Sequence, residues 1–219
     1  MNQTALVIGA TGATGKELVQ LLLNDSHYDH VVVFVRKTTE IVHAKLKEHL
    51  INFDELDAVK DLIKGDVLFS CLGTTMAIAK TKENQYKVDF HYQYNFAKIA
   101  AENGIKNYVL ISSIGAQAKS MNFYLKMKGE LDEAVAQLPF ESISILRPGP
   151  IDAAGNRPEN RSMEKSSINA LRFVNKFGLF KKYAPITTQQ LALAMSKAVN
   201  KDKFTIFESL DIFKLIKPY

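Results

Sequence analysis

The stretch VIGATGATGKE (Val7–Glu17) places three glycines at every third position, between an apolar run and a run typical of an amphipathic helix. Gly9 permits a tight turn, Gly12 lets the backbone approach a pyrophosphate, and Gly15 lets the helix pack closely on the preceding strand. The first turn of that helix presents free N–H groups to phosphate oxygens. This succession of strand, glycine-rich turn and helix predicts a dinucleotide-binding loop.

The loop differs from two better-known phosphate-binding patterns. Its spacing is Gly-x-x-Gly-x-x-Gly, whereas typical dehydrogenases have Gly-x-Gly-x-x-Gly. Lys16 is followed by Glu17 and not by Ser or Thr, which disfavours a nucleoside-triphosphate hydrolase. The hydroxyls of two threonines add donors to the loop. The cofactor contacts predicted here are Gly9, Thr11, Gly12, Ala13, Thr14 and Gly15.

Short β-branched runs alternate with amphipathic stretches along the rest of the chain. Strands are predicted at Ala5–Ile8, Val31–Val35, Val67–Ser70, Tyr108–Ser112 and Ser142–Leu146, with a weaker one near Glu48–Ile51. Helices are predicted at Gly15–Leu23, Asp54–Ile63, Asn84–Asn103, Asn122–Gln137 and Thr188–Asn200. This alternation predicts an α/β fold, a Rossmann-type doubly wound parallel sheet, with its ligands at the carboxyl ends of the strands.

The whole chain, residues 1–219, is expected to form one domain. The composition shifts after Pro150, where DAAGNRPENRS (Asp152–Ser162) has the character of a polar loop. The tail beyond it is too short to bury much core by itself. We therefore expect residues 151–219 to form mainly a small C-terminal, substrate-side lobe of the same domain.

Composition limits the class of partner. Of the 219 residues, 47% are hydrophobic, as in a globular protein with a substantial core. The formal charge of +5 comes from lysines scattered among acidic residues, so no nucleic-acid binding is expected. Apolar runs such as His30–Val35 are too short to cross a bilayer, and no membrane partner is expected.

The cysteine and histidine content bears on location and on metals. A single cysteine, Cys71, fits a reducing compartment, and the N-terminus shows no secretory leader, so a cytoplasmic location is expected. No histidine is placed to activate Cys71, which predicts a small buried residue and not a nucleophile. The five histidines lack metal-ligand spacing, so no metal is predicted.

The end of the second predicted strand indicates which nicotinamide cofactor is preferred. NAD enzymes usually have Asp or Glu there, bound to the ribose 2′-hydroxyl. Here the strand ends in FVRKTT, with Arg36 and Lys37 and no acid before Glu40. A guanidinium pairs with a 2′-phosphate, which a carboxylate would repel. We expect NADP, with NAD possible; the simplest alternative is that both cations are solvated turn residues.

Two copies of Tyr-x-x-x-Lys, a pair that reductases of this architecture often use, occur in the chain. Tyr94 and Lys98 lie inside a long predicted helix, where the tyrosine is expected to be a packing residue. Tyr124 and Lys128 begin the helix that follows a strand ending near Ser113, and their spacing places both on one helix face. The predicted catalytic residues are therefore Ser113, to bind a substrate carbonyl, Tyr124, to donate a proton, and Lys128, to stabilise the phenolate.

Five motifs occur in the order GATGATG, CLGTT (Cys71–Thr75), ISSIGA, the Tyr124–Lys128 pair and LRPGPI (Leu146–Ile151). In this order they resemble the atypical short-chain dehydrogenase/reductase superfamily, particularly its Tat-interacting-protein-like, NAD(P)-binding oxidoreductase branch. The resemblance covers roughly residues 4–200 and is strong because of the order, while each motif alone is of moderate specificity.

The resemblance implies roles for individual positions. Lys128 would also hold the nicotinamide ribose, Pro148 would pass beside the nicotinamide, and Asp89 stands where many relatives have a fourth catalytic residue, usually Asn. Asn52, followed by Phe53, stands where the family often has an Asp that contacts adenine. The segment implied to line the adenine-ribose side consists of Cys71, Leu72, Gly73 and Thr74.

Three functions share these motifs. The leading prediction is an NADP-dependent reductase of a small carbonyl-like substrate. The second is a non-catalytic, NADP-binding redox sensor that acts through a protein partner, and the third is an epimerase or dehydratase that retains its cofactor. The two long predicted helices could form the face of a homodimer.

Overall fold

The computed structural model describes residues 3–152, 184–199 and 202–217. Its main sheet consists of β1 (Gln3–Ile8), β2 (Tyr28–Val35), β3 (Leu46–Leu50), β4 (Val67–Ser70), β5 (Asn107–Ile111), β6 (Ser142–Arg147) and β9 (Phe204–Glu208). Every neighbouring pair is parallel, in the order β3-β2-β1-β4-β5-β6-β9. The order reverses between β1 and β4, which is the switch point where Rossmann-type sheets bind ligands. The predicted fold class is confirmed.

Helices cover both faces of this sheet. The α-helices are α1 (Ala13–Asn24), α2 (Met76–Ala79), α3 (Lys82–Tyr86), α4 (Gln93–Glu102), α5 (Phe123–Val135), α6 (Thr188–Lys197) and α7 (Ser209–Ile216). Alternate residues of a strand point to opposite faces. In β1, Val7 belongs to the core that includes α1 and α6, and Leu6 belongs to the core that includes α4 and α5. Among the described helices, none is long and apolar enough to cross a membrane.

The helix predicted at Asp54–Ile63 is instead a 3₁₀ helix, Leu56–Leu62. Leu56 is its one buried residue. A segment this short gains little tertiary packing, and such packing is what stabilises most α-helices. The weak strand predicted near Glu48–Ile51 is confirmed. It is the edge strand β3 and begins two residues before the predicted start, at Leu46.

The long helix predicted at Asn84–Asn103 is three consecutive segments. A π-helical turn, Lys87–Tyr92, separates α3 from α4. Its buried residue is Asp89, which is 2% exposed. Wide turns of this kind occur often at functional sites, because the extra residue redirects a side chain.

The described parts of the tail extend the main domain. Strand β9 pairs with β6, and α6 packs on α1, so both belong to the central sheet and its helical layer. A small parallel pair joins β7 (Ile151–Asp152) to β8 (Ile186–Thr187). The substrate-side lobe was predicted over residues 151–219, and its stretch 153–183 lies outside the described residues.

Candidate functional site

The glycine loop lies at the carboxyl end of β1. Gly9 has φ of 81°, and a Cβ there would overlap the backbone of Cys71. A Cβ on Gly15 would overlap the carbonyl oxygen of Gly9. The turn closes through the N–H of Gly12, which donates to the oxygen of Gly9 at 2.9 Å. Only glycine fits the first and third positions of this loop.

The N-terminus of α1 faces the same loop. The helix begins at Ala13, with Gly12 as its N-cap and no capping side chain. Its first intrahelical bond runs from the N–H of Lys16 to the oxygen of Gly12, at 2.9 Å. Helix geometry therefore leaves the amides before Lys16 free to bind an anion, and Ala13, Thr14 and Gly15 carry them. The bare turn and the free amides fit a diphosphate.

A basic cleft of about 550 Å³ continues from this loop to the end of β2. Its volume is in the range of small-molecule sites. Two predicted residues, Arg36 and Lys37, lie side by side in it and are exposed. The lining consists of Thr11, Lys16, Arg36, Lys37, Thr38, Thr39 and Glu40.

A carboxylate from the neighbouring strand holds the turn of this cleft. Oε2 of Glu48 accepts from the N–H of Thr39 at 2.8 Å and from its hydroxyl at 2.7 Å. Desolvation acts to raise the pKa of Glu48, but the hydrogen bonds from Thr39 outweigh it and lower the pKa. Sequence reasoning missed Glu48, because the β2–β3 register that brings it to the turn is not readable from its local sequence.

The loop after β4 forms the opposite wall of the switch point. The N–H of Cys71 donates to the oxygen of Ile8 at 2.9 Å, so this loop leaves the sheet beside the glycine turn. Burial raises the pKa of the Cys71 thiol to about 12, and its sulfur lies 3.7 Å from that of Met195. This thiol is suited to packing and not to nucleophilic attack. Leu72 is half-buried in the same wall.

Asp89 lies between this wall and α5, the helix that carries the predicted Tyr124 and Lys128. Its Oδ2 accepts from the N–H of Thr74 at 2.9 Å, and its Oδ1 lies 3.5 Å from the position of a Cβ on Gly73. Burial raises the pKa of Asp89, while the Lys128 cation and the Thr74 N–H oppose that rise. Lys128 is 3% exposed, and its Nζ donates to the oxygen of Ile111 at 3.0 Å.

Tyr124 and Ser113 lie on α5 and on the loop that follows β5. Tyr124 lies in the first turn of α5, one turn before Lys128, and is 38% exposed. Ser113 follows β5 and is half-buried, with its hydroxyl 3.3 Å from the oxygen of Ile114. The two segments meet at Gly115, whose Cβ position lies 3.6 Å from a methyl group of Leu125. The bond from Lys128 and the position of Ser113 place these two predicted catalytic residues at the carboxyl end of β5, and Tyr124 lies one helical turn from Lys128.

The second Tyr-x-x-x-Lys copy lies elsewhere. The ring of Tyr94 stacks on Phe90 with centroids 5.9 Å apart, and Lys98 forms an exposed pair with Glu102 at 3.9 Å. These contacts give both residues structural roles on the surface of α4.

Three further predicted cofactor residues already make contacts within the protein. Phe53 is 4% exposed and stacks on Tyr92 at 5.4 Å, so its ring belongs to the core and only its backbone is free to meet an adenine. Asn52 uses its side-chain oxygen to accept from the N–H of Asp54 at 3.0 Å. The oxygen of Pro148 accepts from the N–H of Ile114 at 3.0 Å, which ties β6 to the loop of Ser113.

A buried ion pair behind the catalytic helix was not predicted. Arg147 at the end of β6 contacts Oδ2 of Asp132 through Nε at 3.0 Å and Nη2 at 2.9 Å, and it reaches Glu208 at 3.1 Å. Burial raises the pKa of Asp132, whereas Ser112, Lys128 and Arg147 act to lower it. The sequence did contain one indication of Asp132. This residue lies eight positions after Tyr124 and four after Lys128, so all three share one helix face.

Fold and loop together define a dinucleotide-binding protein of the Rossmann class. A family model described as NAD(P)H-binding matches residues 9–200. The chain is 33% identical to the mitochondrial protein FMP52 of Candida albicans, over 97% of each chain. It is 32% identical to the protein HTATIP2 of Rattus norvegicus, over 72% of this chain and 67% of that protein. The chain belongs to the NAD(P)H-binding family, in the short-chain dehydrogenase/reductase-like branch that contains FMP52 and HTATIP2, which confirms the resemblance found in the sequence.

Solved structures show the same fold at low sequence identity. MoeE5 in complex with UDP-glucose and NAD has a TM-score of 0.71 at 15% identity, covering 96% of this chain and 80% of that one. The ADP-L-glycero-D-manno-heptose-6-epimerase of Helicobacter pylori has a TM-score of 0.69 at 17% identity, covering 98% of this chain and 80% of that one.

The expectation of a cytoplasmic location is wrong by these comparisons. Relatives from Candida albicans and Eremothecium gossypii, 33% and 32% identical over 97% of this chain, are both named mitochondrial proteins. One free cysteine indicates a reducing environment, and that property does not distinguish the cytoplasm from other reducing compartments.

Proposed function

We propose that this protein is an NADP-dependent reductase that converts a small carbonyl-like substrate to the corresponding alcohol. The observation that carries the proposal is the position of Lys128. Its side chain is almost completely buried, its Nζ is held by the oxygen of Ile111, and the exposed Tyr124 lies one helical turn away. A buried ammonium beneath an accessible phenol is an arrangement suited to proton transfer.

The cofactor would lie across the switch point. The free amides of α1 would bind the diphosphate, and the wall formed by Gly73 and Thr74 would border the adenosine ribose. The basic cleft supports NADP over NAD, because Arg36 offers a planar fork of donors that matches a 2′-phosphate.

The chemistry assigns one task to each catalytic side chain. The bound reduced cofactor supplies a hydride to the carbonyl carbon. Tyr124 gives its hydroxyl proton to the carbonyl oxygen, and Ser113 donates a hydrogen bond that orients the same oxygen. Lys128, held by the oxygen of Ile111, stabilises the phenolate that remains.

The proposed location is mitochondrial, since this is the location named for the FMP52 relatives. Fractionation of cells that express the full chain with a C-terminal tag tests it. We expect the tag in the mitochondrial fraction, and recovery in the cytosol alone would contradict the proposal.

The first prediction concerns Tyr124. In a panel of aldehydes and ketones, the Tyr124→Phe variant should oxidise NADPH at least about 100-fold more slowly than wild type, because general acid catalysis contributes about 10²–10⁴. Its dissociation constant for NADPH should stay within about twofold, since the hydroxyl is assigned to the substrate. Tyr94→Phe is the matched control, with unchanged activity expected.

The alternative is an NADP-binding regulator, favoured by the fact that the names FMP52 and HTATIP2 state no reaction. The same panel separates the two functions. Tight NADPH binding without turnover of any substrate, by wild type as by Tyr124→Phe, would establish the regulator and remove the reductase.

A further inference from the structure

The segment Arg36–Thr39, called the arch below, carries the cations of Arg36 and Lys37 and leaves the sheet at Val35. The N-terminal end of this segment is fixed by the backbone pairing of β2 with the chain after β3, because the N–H of Ile51 donates to the oxygen of Val35 at 2.9 Å. Beyond that point, the residues from Arg36 to Thr38 are exposed. An exposed arch of this kind needs a second anchor if its two cations are to keep a fixed position.

Glu48 supplies the second anchor. It lies in β3 opposite Val33 of β2, so its backbone is held by the sheet. A single oxygen, Oε2, accepts both the N–H and the hydroxyl of Thr39, at 2.8 and 2.7 Å. Hydrogen bonds to an ionised acceptor are about twice as strong as neutral ones.

The turn has little internal support. The N–H of Glu40 reaches the hydroxyl of Thr38 at 3.1 Å, and that of Ile41 reaches the hydroxyl of Thr39 at 3.4 Å. Glu40 has φ of 60°, in the left-handed region that non-glycine residues adopt infrequently. The turn is therefore in a conformation that its own hydrogen bonds stabilise weakly.

We infer that Glu48 is a positioning residue that determines the preference for a 2′-phosphorylated dinucleotide, by fixing the arch of Arg36 and Lys37 through Thr39. This inference rests on the proposed use of NADP. The described lining of the cleft does not include Glu48, so the role inferred for it is exerted through the turn.

The sign of the effect separates positioning from simple electrostatics. A carboxylate near a phosphate site repels the phosphate, so removing its charge alone would tighten NADPH binding. Loss of the anchor would weaken NADPH binding, because the side chains of Arg36 and Lys37 would then lose conformational entropy when the cofactor binds. The two roles therefore predict opposite changes for one substitution.

The test is calorimetric titration of the wild type and of variants with NADPH and with NADH. Glu48→Ala should weaken NADPH binding about tenfold, as expected for the loss of hydrogen bonds to a charged group, and change NADH binding less than about twofold. Glu48→Gln keeps one carbonyl oxygen that can accept both bonds, so its NADPH affinity should equal or exceed that of wild type. Glu141→Ala removes a carboxylate from the exposed pair with Lys106 and controls for net charge.

Several outcomes would overturn the inference. These are unchanged or tighter NADPH binding by Glu48→Ala, an equal loss for both cofactors, and a loss for Glu48→Gln as large as for Glu48→Ala. If wild type itself binds NADPH and NADH equally, the proposed use of NADP fails and the inference fails with it. If wild type prefers NADPH and Glu48→Ala keeps that ratio, the inference fails alone.

A milder variant covers the case in which Glu48→Ala does not fold. Thr39→Val removes the hydroxyl bond and keeps the backbone N–H bond to Glu48. It should lower the NADPH affinity about threefold, with NADH again unchanged. A preference for NADPH that equals that of wild type would contradict the inference.

Discussion

At the scale of single residues, Asp89 shows how a buried charge can join two walls of a site. It accepts the N–H of Thr74 in the cofactor wall and lies near the Lys128 cation of the catalytic helix. Burial nevertheless raises the pKa of Asp89 above the ordinary value for an aspartate. Its ionised form is therefore less favourable in the folded protein than in the unfolded chain.

A pH-dependent prediction follows from the sign of this shift. A carboxyl whose pKa is raised on folding contributes stability below its unfolded pKa, and that contribution is lost as the pH rises through the folded pKa. Asp89→Asn keeps an acceptor for Thr74 and removes this titration. Between about pH 4 and pH 7, the free energy of unfolding of wild type should therefore fall relative to that of Asp89→Asn.

Urea denaturation of both proteins across that range measures the difference. A stability difference that is constant with pH, or that moves in favour of wild type as the pH rises, would contradict the prediction. Asp57→Asn, at an exposed position in the 3₁₀ helix, is the control for the removal of one carboxylate.

At the scale of elements, the position of α5 is set by close backbone contact. A Cβ on Gly129 would overlap the backbone of Gln117 and Ala118, in the loop that follows Ser113. Because Gly129 adjoins Lys128 in the helix, this contact also fixes the distance between the catalytic helix and the serine loop.

Gly129→Ala should therefore change the stability in the opposite direction to the one that helix propensities predict. In an ordinary helix, this change stabilises by about 1 kcal/mol. Here the added methyl group must displace backbone, so we expect destabilisation by about 1–3 kcal/mol, with a lower rate of NADPH oxidation. Urea unfolding measures the first effect. The control is Lys126→Ala on the exposed side of α5, which should change the unfolding free energy by less than about 0.5 kcal/mol. Stabilisation by Gly129→Ala would contradict the packing argument.

The elements also show how far the sequence could be interpreted. The glycine loop, its flanking strand and α1 follow from local rules of turn and helix geometry, and they were predicted within a few residues. The π-helical turn around Asp89 was not predicted, and the partner of Asp89, the N–H of Thr74, lies in another segment. The same holds for Glu48 and for the Arg147–Asp132 pair, whose partners meet only through sheet register and helix packing.

At the scale of the whole molecule, the fold was predictable because it depends on a repeated pattern. Apolar strands that alternate with amphipathic helices specify a parallel sheet with two covered faces. The sequence predicts a short strand at FTIF (Phe204–Phe207), but its position beside β6 in the main sheet was not predicted, because so short a local pattern does not specify strand order. The homodimer that the long helices could form and the small carbonyl-like substrate stay predictions.

Ligand binding and folding should be coupled across the molecule. A ligand that binds only the folded protein stabilises it by about 2.7 kcal/mol when present at 100 times its dissociation constant. NADPH should therefore raise the melting temperature of the wild type by several degrees. Gly9→Ala, which places a methyl group against Cys71, should abolish this increase at the same NADPH concentration, and an increase equal to that of wild type would contradict the assigned loop.

The contact between α1 and α6 has a consequence for the order in which the chain matures. Gln189 on α6 donates to Glu17 on α1 at 2.8 Å, across a sequence separation of 172 residues. Until α6 has been synthesised, the apolar side of α1 that includes Leu18 and Leu22 has no cover from it. A nascent chain would thus expose this surface for most of its synthesis, and the exposed apolar side chains would favour non-native association during that interval.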